Sequence, residues 1–404
     1  MKNTIFILSI FLFLSCQNKK NQKTKLNNEK TTDLKTVFLN KKLDSLYNIG
    51  VYNGFSATIV DTTGIVYNQG FGYADVNQKI KYTVNSIINI ASISKTFIGV
   101  ALLKAKEMKF INLDDPINKY LPFKVINPNY PNEKITIRQL ATHTSSIIDS
   151  DAYMQTDYIN KDNIPLAENL KEQYGLYYQN PSRKWMPLSK YLKELLNKNG
   201  EFYNVSSFSK RKPGEIYEYS NSGAALCALV IEYATNRPFN EFTKEHIFEP
   251  LKMSSTSWFF EEADSTKYSK LYSDEFELPY YKILSYPDGG LITSSTDLGK
   301  FLVELIRGYS GNGKILNSDS YKEFFKSQLK ETAFVKKENY NIGIFLEKEL
   351  TYDVIGHSGG DPGTNTMMYF NTKSRKGTIF ITNTDSQKEN SENVYWDIWR
   401  TLGN

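Results

Sequence analysis

Two stretches at opposite ends of the chain carry the same β-rich pattern, and they restrict the fold more than anything between them. Residues 55–75, FSATIVDTTGIVYNQGFGYAD, have two runs of β-branched and aromatic residues around Asp61-Thr62-Thr63-Gly64, which is a hairpin signal. Residues 365–385, NTMMYFNTKSRKGTIFITNTD, repeat the pattern around a turn at Thr372–Gly377. Between them the periodicity is helical, at Ser94–Lys109, Ile137–Thr142, Leu188–Asn199, Ser222–Asn236, Phe239–Phe248 and Ser295–Tyr309, and again in ENVYWDIWRTL near the chain's end. Strands at both ends with helices in the middle predict an α/β (α+β) fold. One antiparallel sheet forms from N- and C-terminal strands, helices cover it, and a mostly helical subdomain is inserted between its strands. Residues 148–212, rich in Tyr, Asn and Lys with irregular periodicity, read as a helical or variable insertion where surface excursions or substrate-facing lobes are tolerated.

A chain of 404 residues, 40% of them hydrophobic, can bury a sizeable core in one large domain. Lys and Arg number 49 against 44 Asp and Glu, a near balance with no arginine-rich run, which argues against a nucleic-acid partner. The opening MKNTIFILSIFLFLSC joins Lys2 to an apolar run, Thr4–Leu14, too short to span a bilayer, as in a secretory signal. Ser15-Cys16 closes that run and is similar to a bacterial lipobox. The expectation is a lipoprotein signal peptide over 1–16, acylation of Cys16, and a periplasm-facing protein held at its membrane by an N-terminal lipid anchor. Residues 17–34 have the composition of a flexible polar linker, and the folded domain is expected over 35–404. Cys227, the other cysteine, lies among small and aliphatic residues and reads as a buried thiol.

Three short constellations could carry chemistry. In INIASISKTFIGVALL, Ser92 and Lys95 stand three apart at a helix opening, close enough for an amine to reach a hydroxyl. A serine is a poor nucleophile until a base takes its proton, and a lysine whose pKa is lowered by burial can serve. In KPGEIYEYSNSGAALCALV, Tyr219-Ser220-Asn221 precedes a helix that Asn221 or Ser222 would cap; the phenol could shuttle protons and the Asn221 amide could position a substrate. In VIGHSGGDPGTNTMMYF, His357-Ser358-Gly359-Gly360 is read as preceding a strand, with glycines that admit a ligand closely. His143, His246 and His357 are far apart, and neither H-E-x-x-H nor C-x-x-C occurs, so no metal is expected. The absence of G-x-G-x-x-G removes the case for a nucleotide, and no cofactor is expected.

In this order the three elements resemble the S-x-x-K, S/Y-x-N and K-T-G series of serine β-lactamases and penicillin-binding proteins, the class C branch in particular. ITIRQLATHTSSI (135–147), PGEIYEYSNSG (213–223), FEPLKMSSTSW (248–258) and YPDGGLITSSTDLGKFL (286–302) resemble the family in the same sequence order. The resemblance implies Ser92 as acylated nucleophile, Lys95 as its base partner and Tyr219 as proton shuttle. It further implies that Asn221, His357, Gly359 and Gly360 bind substrate, with the backbone N–H groups of Ser92 and Gly360 forming an oxyanion hole. The implied reaction is acyl-enzyme hydrolysis of an amide, peptide or ester, such as a cell-wall or D-amino-acid peptide or a small ester. The alternative is a catalytically idle relative that binds cell-wall fragments or an envelope partner. Two departures stand out. His357 occupies the place of the K-T-G lysine, and a neutral imidazole supplies no fixed positive charge for a substrate carboxylate. Ser146 replaces the glycine usual in T-H-T-S-G.

Overall fold

All seven residues of the strand Gly54–Val60 are buried, so this strand needs cover on both faces. Alternate side chains supply the two layers. Phe55, Ala57 and Ile59 join Leu39, Leu43 and Leu46 of a helix over 34–47 and Val394, Ile398 and Leu402 of the helix Ser391–Gly403. Val60 joins the larger core with Leu298, Leu302 and Ile306 of the helix Ser295–Tyr309. The neighbouring strand Gly377–Thr382 divides the same way, Phe380 facing the first cluster and Ile379 and Ile381 the second.

This computed structural model describes residues 34–403 apart from 163, 179–183, 330–342 and 350–352. The expected lipidation site, Cys16, and most of the linker lie outside the described residues. The main sheet runs in the order Glu347–Glu349, Val354–Asp361, Thr364–Asn371, Gly377–Thr382, Gly54–Val60, Ile65–Asp75, Ile80–Lys81. Every pairing in it is antiparallel, and Phe55 opposite Thr382 splices the two ends of the chain together. The expected sheet, with helices over both faces, is what the chain forms.

The helix Ser295–Tyr309 has its predicted limits, and Ser94–Glu107, Ile137–Ala141, Leu188–Leu196 and Asn221–Thr235 lie within a few residues of theirs. Thr136 and Gln139 close a capping box at the start of Ile137–Ala141. Two features differ from expectation. The helix over 34–47 is additional to the expected ones, with Leu39, Leu43 and Leu46 recurring at helical spacing. His357–Gly360 lie within the strand Val354–Asp361 and not ahead of a strand, because two glycines masked its β pattern. Within 148–212 lie the helices Asp151–Thr156, Lys171–Tyr178 and Leu188–Leu196, and Tyr153, Tyr174, Tyr191 and Leu192 are buried in the larger core. Tyr158–Asn160 also pairs with Tyr281–Ile283.

Two helices in the middle, Ser94–Glu107 and Asn221–Thr235, are buried on nearly all sides and pack on each other. Cys227 is buried there, as its surroundings in the sequence indicate. Phe97, fully buried on the first helix, stacks on Phe301 with ring centroids 3.8 Å apart. Phe97→Ala is expected to lower unfolding free energy by about 3–5 kcal/mol in urea titration, through lost burial and a cavity. A loss below about 1 kcal/mol would show that this contact does not anchor the helix.

Candidate active site

Ser92 sits in a 3₁₀ turn, Ala91–Ile93, between the strand Ile87–Asn89 and the helix Ser94–Glu107. That strand pairs with Ile292–Ser294, and the Ile90 carbonyl accepts a hydrogen bond from the Thr366 hydroxyl at 3.0 Å. Ser92 is thereby fixed to the main sheet. Ala91, just before it, has φ +47°, a left-handed conformation costing a non-glycine residue about 1–2 kcal/mol.

Lys95 has no exposed surface. Its Nζ donates to Ser92 Oγ at 2.9 Å and to the Asp288 carbonyl at 2.7 Å. Burial holds the amine below the ordinary lysine range, against an opposing pull from Asp288, Asp149, Asp361 and Glu347. Behind it, burial pushes Asp288 well above the usual carboxylate range and Asp361 up to about 7. Tyr158 donates to Asp361 at 2.6 Å, and Tyr153 to Asp288 at 3.1 Å.

The Tyr219 hydroxyl donates to Ser92 Oγ at 2.9 Å. Burial raises its pKa well above the ordinary phenol value, so it stays protonated and able to donate. The turn that carries it is held by Asp149, whose carboxylate accepts the N–H groups of Asn221 at 2.8 Å and Ser222 at 2.9 Å. The cap of this helix is Ser220, which accepts from the Gly223 N–H, and neither Asn221 nor Ser222. His143 stacks on Tyr219 with centroids 4.5 Å apart, and its Nδ1 accepts the Ser220 N–H at 3.1 Å. Burial drives this imidazole well below its usual range, which suits an unprotonated acceptor. Ser146 has φ +63°, which accounts for the family's glycine at this position, and the Asn127 amide secures it by donating to its hydroxyl at 2.9 Å.

A cavity of about 580 Å³ opens beside Ser92, and Tyr219, His357, Gly359 and Gly360 line it. Asn221, half-buried at the start of its helix, is not among the described lining residues. His357 is buried; its Nδ1 lies 2.5 Å from the Ser358 carbonyl, and its Nε2 lies 3.8 Å from a Glu347 carboxylate oxygen. Burial lowers its pKa, assisted by Lys95 and opposed by Glu347, so it is neutral at pH 7. A Cβ on Gly359 would stand 2.7 Å from the Ile90 carbonyl oxygen and 2.8 Å from the Ser92 nitrogen. Asp149 and Asp288 escaped the sequence reading because each acts on a partner distant in the chain; Asp149 and Asn221 are 72 positions apart, Asp288 and Lys95 193.

A buried amine and a phenol thus converge on one serine hydroxyl at the rim of a cavity, in the geometry of an activated nucleophile. The sequence profile of the family described as Beta-lactamase matches residues 40–399. The chain belongs to the β-lactamase family. It is 27% identical over 379 residues to Penicillin-binding protein 4* of Bacillus subtilis (strain 168), covering 86% of this chain and 73% of that protein. It is 26% identical to Protein flp of Staphylococcus aureus (strain MW2), covering 83% of this chain and spanning 60% of that protein's length. Among solved structures, D-amino acid amidase from Ochrobactrum anthropi SV3 shares the fold. Its TM-score is 0.66 at 18% identity, over 90% of this chain and 98% of that one.

Gly359→Ala is expected to push the Ile90–Ser92 turn out of register. The rate at which Ser92 reacts with a fluorophosphonate should fall at least about tenfold, in a protein that still melts cooperatively. An unchanged rate would mean that the close packing of this strand on the Ser92 turn is irrelevant to reactivity.

Proposed function

We propose that this β-lactamase-family protein is a serine hydrolase that forms an acyl-enzyme on Ser92 from an amide, peptide or ester. The observation that carries this reading is the fully buried Lys95 amine hydrogen-bonded to Ser92 Oγ. Neutral Lys95 takes the hydroxyl proton as Oγ attacks the carbonyl carbon, and the N–H groups of Ser92 and Gly360 receive the developing oxyanion. Tyr219 passes its phenol proton to the leaving amine or alcohol and regains one from the Lys95 ammonium, so both return to their starting forms, and water then releases the acyl group. The D-amino acid amidase with this fold supports amides of amino acids as candidate substrates. His357 in place of a lysine argues against strong recognition of the β-lactam carboxylate. We place the protein at the cell envelope, anchored by acylated Cys16, on the strength of its opening sixteen residues.

Intact mass after fluorophosphonate treatment tests the reading. One adduct is expected, absent in Ser92→Ala, with penicillin labelling far more slowly. No adduct on well-folded protein would favour a catalytically idle binder of cell-wall fragments.

The labelling rate has a defined pH dependence. Only neutral Lys95 accepts a proton, so the rate should rise with pH through the lysine's depressed pKa and level off above it. A profile flat from about pH 5 to 9 would remove Lys95 from the role of base.

A further inference from the structure

The cavity beside Ser92 has an acid-lined wall that acylation does not use. Glu347, on the edge strand Glu347–Glu349, and Glu392, in the first turn of the helix Ser391–Gly403, both line it; among the described lining residues there is no Lys or Arg. Tyr52, Tyr395 and Trp396 supply aromatic surface to the same cavity, and aromatic faces attract cations.

Glu347 is tethered. One carboxylate oxygen accepts the Tyr369 hydroxyl at 2.6 Å and lies 3.3 Å from the Ser358 nitrogen, while the other faces Nε2 of His357 at 3.8 Å. His357 directs Nδ1–H at the Ser358 carbonyl, so the neutral ring presents a lone pair at Nε2. Two acceptors therefore face each other across 3.8 Å, an arrangement that calls for a donor between them. An ammonium group, with three N–H donors and a positive charge, satisfies both, whereas an anion would meet two carboxylates.

We infer that this wall recognises a protonated amino group on the substrate, so that the site takes amides or esters carrying a free amine within reach of Glu347 and Glu392. The inference rests on the acyl-enzyme reading above and names the substrate class for the same site.

Calorimetry on the full chain carrying Ser92→Ala, which cannot turn substrate over, reads recognition apart from chemistry. The probes are D-phenylalanine amide, its neutral N-acetyl derivative and its anionic N-succinyl derivative at pH 7. The cation is expected to bind at least about tenfold more tightly than the neutral compound, and the anion more weakly than either. Adding Glu347→Gln and Glu392→Gln together should abolish the difference between cation and neutral probe. Should that variant unfold, Glu392→Gln alone, at an exposed position, must narrow it. Equal binding of cation and neutral probe, tighter binding of the anion, no binding of the cation at millimolar concentration, or a preference that survives the substitutions would each overturn the inference. Since the chain tested lacks the Ser92 hydroxyl, failure of Ser92 to label with a fluorophosphonate leaves this result unaffected, and the converse holds.

Discussion

An amine with no contact to water, held between a serine hydroxyl and a main-chain carbonyl, is the constraint on which the rest of this structure turns. Lys95 is buried among four acidic groups, Asp288, Asp149, Asp361 and Glu347, each of which favours its charged form. Burial opposes them and prevails. Had the lysine stayed exposed, its charge would be stable and its lone pair unavailable to Ser92. Burial also pushes Asp288, Asp361 and Asp157 toward their neutral forms, most strongly Asp288.

Keeping that amine dry requires the architecture around it. The helix Ser94–Glu107 is enclosed by Asn221–Thr235 on one side, by Ser318–Phe325 on another, and by Ser295–Tyr309, whose Phe301 stacks on Phe97. The site needs three remote segments to meet: Ser92 and Lys95 after a short strand, Tyr219 at a helix entrance, and His357–Gly360 on an inner strand of the main sheet. Pairing of Gly54–Val60 with Gly377–Thr382 fastens the ends of the chain, and the Thr366 hydroxyl on the Ile90 carbonyl ties the serine turn to the sheet. Small local strains at Ala91 and Ser146 are tolerated because packing and the Asn127 amide hold both residues in place.

Much of this was legible in the sequence where the signal was local. The hairpins at 55–75 and 365–385, the helix Ser295–Tyr309 and the pair Ser92 and Lys95 follow from alternation, helical periodicity and an i, i+3 spacing. What was not legible depends on residues meeting across the fold. Asp149 holds the Tyr219 turn from 72 positions away, and Ser220 outcompetes Asn221 as cap because its hydroxyl faces the Gly223 N–H. The strand through His357 was hidden by Gly359 and Gly360, residues that weaken strand propensity while allowing close approach to Ser92. The detail of residues 148–212 is not legible because their periodicity is irregular. In the fold Tyr153 and Tyr174 bury their rings and satisfy their hydroxyls on Asp288 and Asp385.

The central claim is that burial leaves Lys95 able to accept a proton, and a direct titration of its amine tests it. In protein containing ¹⁵N-labelled lysine, the Nζ resonance of Lys95 is assigned by its loss in Lys95→Arg and followed against pH by NMR. The account predicts conversion to the neutral amine at a pH clearly below that of the exposed lysines in the same sample. A Lys95 that stays charged until those lysines titrate would contradict it and leave Ser92 without its base.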